Sequence, residues 1–123
     1  MANPNIVAVT NIVGNTLSAA VLTTATQLAS NAASSGKVFK INSIVIANID
    51  GTSAADVTVN IYSAAALGGT GSAIASTISV PADASLIVTD KTTAFYVLED
   101  RSIGALASAA GDLVATISFE EIT

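Results

Sequence analysis

The side chains best suited to chemistry in this sequence are its nine carboxylates, which stand beside four cations and no histidine or cysteine. Without His and Cys, Ser-His-Asp triads, thiolate nucleophiles, zinc sites and most general-base chemistry near neutral pH are excluded. Carboxylates alone could bind a hard cation or work as an acid/base pair. Asn48, Asp50 and Asp56 lie around one connector and offer the oxygen ligands that calcium prefers. The D-x-[DN]-x-[DN]-G spacing of a calcium loop is missing, however, and Asn48–Ser53 reads as a turn. Glu99 and Asp100 beside Arg101 read as a charged turn, and Glu120 and Glu121 as the end of a final strand. A glycosidase carboxylate pair needs a cleft with aromatic platforms, for which three Phe, two Tyr and no Trp are poor material. Gly68, Gly69 and Gly71 predict a flexible loop, and it lacks the Lys of a phosphate-binding loop. The sequence therefore predicts no catalytic residue, no cofactor and no metal site.

The charges narrow the partners. Lys37, Lys40, Lys91 and Arg101 are scattered, and the net charge is −5. Nucleic-acid binding needs several phosphate-neutralising cations on one surface, so it is not expected. No polybasic run or basic amphipathic helix points to an anionic membrane, and no apolar run reaches the ~20 residues of a spanning helix. The opening Met-Ala-Asn-Pro-Asn-Ile-Val has neither the basic region nor the long apolar core of a secretory signal. Lacking a disulfide framework, the domain must hold together by packing and backbone pairing.

Any positioning must come from β-strands. The chain is 51% hydrophobic but only 4% aromatic, so Ala and small β-branched residues supply the core. Val57, Val59 and Ile61 alternate with Asp56, Thr58, Asn60 and Tyr62; Leu113, Ala115, Ile117 and Phe119 alternate with Val114, Thr116, Ser118 and Glu120. That is the period of a strand packed on a core. A long strand is predicted from Val38 to Ala47, with Phe39, Ile41, Val45, Ala47 and Ile49 on one face. Further strands are expected at Asn5–Val13 (broken near Gly14-Asn15), over Leu17–Ala29, around Ile74–Val80, at Leu86–Val88 and near Phe95 and Ile103. Pro81 ends one of them, because proline cannot donate to a ladder. Turn signals at short intervals, with no strand–helix alternation, predict an all-β fold. The expectation is one domain over residues 1–123, an antiparallel β-sandwich of about eight strands, jelly-roll-like.

The same alternation puts Ile44 and Ile46 on the opposite face of the long strand, where a monomeric sandwich usually shows polar residues. Charged residues make up only 11% of the chain, against ~25% in ordinary domains. Either a loop of the same chain covers Ile44 and Ile46, or another subunit does. The second reading predicts a homo-oligomer.

Several segments carry a resemblance: Met1–Val7, Ser34–Ile44, Ile46–Thr52, Val80–Leu86, Tyr96–Asp100 and Ile117–Thr123. In this order they resemble small virion structural proteins of tailed bacteriophages, particularly cyanophages, although Asp100-Arg101 stands where related sequences often carry Gly-Asp. The resemblance implies a structural virion protein that decorates or cements the capsid surface, bridging neighbouring major capsid subunits or other virion proteins. The alternative it leaves is a neck, tail or fibre component, or a receptor- or carbohydrate-binding module, though Tyr62 and Tyr96 are the only tyrosines for such a site. Residues 1–10 would then be a docking arm that adds a strand to a neighbour, or simply the first strand. The candidate interface comprises Ile6, Val7, Val9, Ile44 and Ile46.

Overall fold

The computed structural model describes residues 4–123. They form nine strands: β1 (Ile12–Ala20), β2 (Thr26–Asn31), β3 (Val38–Asn48), β4 (Ala55–Ala64), β5 (Gly68–Val80), β6 (Ser85–Thr89), β7 (Phe95–Val97), β8 (Arg101–Ala107) and β9 (Leu113–Ile122). One sheet runs β1-β9-β3-β6, with β7 on the remaining length of β3; the other runs β2-β8-β4-β5. All pairings are antiparallel. Successive strands switch sheets except at the β4–β5 hairpin and between β6 and β7, which is the strand order of a jelly roll. The β-sandwich expected from the alternation is the fold this chain adopts.

The core lies between the sheets. Val57 and Val59 of β4, Ile103, Ala105 and Ala107 of β8, and Leu113, Ala115, Ile117 and Phe119 of β9 are buried in it, as their alternation predicts. The Phe39 and Phe119 rings meet at 5.1 Å between centroids. Each fully buried Val or Ile stabilises the fold by roughly 1.5–3 kcal/mol, so a core with few aromatics needs many of them.

Strand β3 corrects the sequence reading. Ile44 and Ile46 are fully buried in the core, while Val45 and Ala47 are only half-buried and Ile49 is exposed. The cause is a β-bulge. Ile41 pairs Phe119 and Ser43 pairs Ser118, so Asn42 is an extra residue, and every side chain beyond it changes face. Ile44 and Ile46 are thus unavailable as interface residues. Because Asn42 is supernumerary, its deletion should give a regular ladder with Phe39, Ile41, Ile44 and Ile46 still facing inward. Such a variant is expected to fold and to lose only about 1 kcal/mol in a denaturant titration, the scale of one hydrogen bond, since Asn42 Nδ2 donates to Glu120 at 3.0 Å.

The start of the chain also differs from expectation. Residues 4–11 are not a strand, and β1 runs unbroken through Gly14 and Asn15 because each of its nine residues has a partner on β9. The Leu17–Ala29 stretch is two strands joined by a corner. Val21 N–H donates to Leu113 of one sheet, and the next residue, Leu22, accepts from Ala107 N–H of the other. Thr26 Oγ1 closes that corner by accepting from Leu22 N–H.

The glycine-rich stretch is β5 and its hairpin turn, not a loose loop. Ala66 and Leu67 both have left-handed backbones, φ 55° and 60°. That conformation costs roughly 1–2 kcal/mol per non-glycine residue. Offsetting bonds come from β2, β8 and the turn before β8: Asp100 Oδ1 accepts from Ala65 N–H, Ser30 Oγ from Ala66 N–H and Ser102 Oγ from Leu67 N–H. Leu67 then lies on Gly104, where a Cβ would come within 2.8 Å of its methyl carbon.

Candidate functional site

The carboxylates are turn and strand-end residues. Asp50 Oδ1 accepts from Thr52 N–H and Oγ1 and from Ser53 N–H. These bonds, that from the Thr52 backbone first, hold its carboxyl below the ordinary value of 3.8. Asp90 is lowered likewise by the hydroxyl and then the backbone of Thr92, at the start of a 3-10 turn over Lys91–Thr93. A lowered folded-state pKa contributes stability that is present above the unfolded value and lost as pH falls through the folded one. The melting gap between wild type and Asp50→Ala should therefore be open at pH 7 and narrow below about pH 3.8. Asn48 is buried and clamps the same turn, donating from Nδ2 to Ser53 and Val80 carbonyls and accepting from Asp50 N–H. Among the described residues, no group of three or more acidic side chains is placed to hold a metal.

A hollow of about 180 Å³ is lined by Ile61, Tyr62, Ser63, Thr70, Ser72 and Arg101. Ligand sites usually enclose ~300–1,000 Å³, and the Arg101 guanidinium is already engaged, donating to the Ser63 and Asp100 carbonyls.

Of the predicted interface residues, Ile44 and Ile46 are core, whereas Ile6 and Val7 are exposed and Val9 is half-buried. Ile6 and Val7 lie on a turn in which Asn5 accepts from Val7 and Ala8 N–H, and Val9 follows it. Thr10 and Asn11 N–H tie this segment to the Thr123 carbonyl. Met1, Ala2 and Asn3 of the expected arm lie outside the described residues.

A site that the sequence reading missed is the outer edge of β1. Antiparallel partners share a face, so inward-facing rows cross the sheet as Ile44–Ile117–Leu17, Ile41–Phe119–Asn15 and Phe39–Glu121–Val13. Along the first row exposure jumps from 0% at Ile44 and 1% at Ile117 to 51% at Leu17; Val13 is 46% exposed. Side chains of core type and core orientation are thus uncovered at the end of the sheet. The strand facing them across the sandwich, β2, is six residues long against nine in β1. The only sequence signal was the apolar Ile12, Val13 and Leu17 themselves, which looked like ordinary strand residues.

The β1 edge also differs from the other sheet edges among the described residues. Its ladder to β9 has no register shift, and Ile12–Ala20 contains no charge and no proline. Strand β5 has three register shifts against β4 and a left-handed Thr77, φ 53°. Strand β2 is short and shifted once, and β6 and β7 are separate strands of five and three residues. Bulges and short strands guard an edge against pairing, whereas a long, regular, uncharged strand invites it. Two carboxylates on β9 lie opposite β1: Glu121, opposite Val13, accepts from Asn15 Nδ2 at 2.8 Å and from Lys37 Nζ at 3.2 Å, and Glu120, opposite Gly14, accepts from Asn42 Nδ2.

No family model matches this chain, and no curated protein sequence matches it. Among solved structures, the chain is similar to one described as "Bacillus endospore appendages form a novel family of disulfide-linked pili". The two share 20% identity over 91% of this chain and 88% of that one, with a TM-score of 0.53, a likeness that shows the fold. It corrects the expectation drawn from the phage resemblance. A capsid-decoration role, and the neck, tail or fibre alternative, find no counterpart in a neighbour that comes from an endospore pilus. The virion, capsid and bacteriophage assignments have no support.

Proposed function

We propose that this chain is a structural subunit that works by associating with further copies of itself along the β1 edge, with no reaction to catalyse. One observation carries this reading: inward-facing Val13 and Leu17 are half exposed on a regular, uncharged edge strand. Pairing a strand there would satisfy the free backbone groups of β1 and cover both side chains. The fold neighbour is named as a disulfide-linked pilus, so a related sandwich serves in a polymer. None of the 123 residues here is cysteine, so these residues associate without disulfides. Neither strand pairing nor burial needs a titrating nucleophile, which suits a sequence without one.

Sedimentation velocity from about 1 to 100 µM, with and without reductant, tests this reading, since that range brackets ordinary micromolar association. The expected result is concentration-dependent association that reductant leaves unchanged. A protein that stays monomeric throughout would overturn the proposal.

A further inference from the structure

We propose that two copies pair β1 against β1, antiparallel, about a twofold axis through Asn15, making the two outer sheets one continuous sheet. The inference rests on the reading above and adds the partner strand, the symmetry and the register. It begins from the contrast between the edges. A head-to-tail contact must join β1 to a different edge, and β2, β5 and β6/β7 are each interrupted by a register shift or by a break between short strands. The edge that matches the unbroken geometry of β1 is β1 itself. A surface that meets its own copy is an isologous, twofold contact.

Charge points the same way. At net −5, most faces of two copies repel each other. Ile12–Ala20 carries no charge; of the two carboxylates one strand away, Glu121 is already paired with Lys37, and Glu120 is kept from its counterpart in the other copy by both β1 strands. Two β1 edges can therefore approach without bringing like charges together.

The register follows from the inward-facing residues. With Asn15 on the axis, Val13 of one copy lies opposite Leu17 of the other, twice over. Both half-exposed apolar side chains then gain an apolar cross-strand partner. Outward, Gly14 meets Thr16 and Ile12 meets Ser18, pairs with no steric or charge conflict. Moving the axis to Thr16 would instead place Leu17 opposite Asn15 and Val13 opposite Ala19, leaving Leu17 against an amide. A polar residue at one position of an apolar seam pins register, and Asn15 is the polar residue of this inward row.

Cysteine cross-linking tests the geometry. Directly opposed antiparallel residues have Cα atoms ~4.5–5.5 Å apart, within the ~4.4–6.8 Å span of a disulfide. Under mild oxidation, Asn15→Cys alone should give a disulfide-linked dimer on a non-reducing gel. Val13→Cys mixed with Leu17→Cys should give a mixed dimer, while neither cross-links efficiently alone. The mixed pair keeps the proposal testable if loss of the Asn15–Glu121 bond disturbs folding. Association of the wild type without either cross-link, or growth beyond dimers through β1, would overturn the twofold pairing while leaving self-association standing. A wild-type protein that remains monomeric would remove both.

Discussion

Ile46→Asp is expected to leave this chain unfolded. Ile46 is fully buried, with Ala115 of β9 on one side and Leu86 of β6 on the other, in the middle of the sheet that forms one wall of the core. Among the described residues the buried polar side chains are Asn31, Asn48, Thr89 and Ser102, with no cation to pair with a carboxylate placed there. An uncompensated buried charge costs several kcal/mol even after relaxation, and the alternative, burying it protonated, still leaves polar atoms to satisfy. The loss of the isoleucine adds ~2–5 kcal/mol, the cost of truncation to alanine in a core. Together these approach the ~5–15 kcal/mol that holds a typical domain folded. Far-UV circular dichroism should lose its strand signature, and Val59→Asp, at an equally buried position in the opposite sheet, should behave alike. An Ile46→Asp protein with a cooperative melt near that of the wild type would mean that this side chain faces outward, and would invalidate the bulge at Asn42 as the reason for its burial.

That bulge marks the boundary of what sequence patterning could show. In β4 and β9 the apolar residues alternate without interruption, and the buried set is the one the alternation names: Val57 and Val59, then Leu113, Ala115, Ile117 and Phe119. In β3 the rule holds for Phe39 and Ile41 and inverts beyond Asn42. One inserted residue exchanges the faces, yet asparagine is unremarkable in a strand, so the local sequence carries no mark of the shift. The apolar residues on both faces of that strand were real evidence, but of a bulge and not of a second subunit. The corner at Val21–Leu22 was hidden for a related reason. Its residues are as β-compatible as their neighbours, and what turns the chain is bonding to two different sheets, at Leu113 and Ala107. Turn chemistry was more legible. Asn48, Asp50 and Pro81 all act locally through their own side chains or ring. The exposed β1 edge left only the apolar Val13 and Leu17 as a sign in the sequence, because what defines it is how little of the opposite sheet covers them.

Leu17→Asp should separate association from folding. Leu17 is half exposed in the isolated subunit, so its replacement removes only part of a leucine's burial and places the carboxylate where water reaches it. The fold should lose about 1 kcal/mol, a typical surface-to-intermediate effect, and keep its circular dichroism. In the twofold pair, by contrast, both copies lose a leucine that pairing would have covered. Because Leu17 is already half covered in the subunit, pairing adds only about half of the ~1.5–3 kcal/mol of a fully buried leucine in each copy, so the pair loses about 1.5–3 kcal/mol, which weakens association by roughly 10- to 10²-fold. Two carboxylates on an edge that otherwise carries no charge add a desolvation cost in the same direction. Ile74→Asp is the matched control: a similarly exposed aliphatic residue on the interrupted β5 edge, whose substitution should leave association unchanged. If Ile74→Asp dissociates the assembly and Leu17→Asp does not, the regular edge is not the one that pairs, and the bulges along β5 accommodate a partner instead of excluding one.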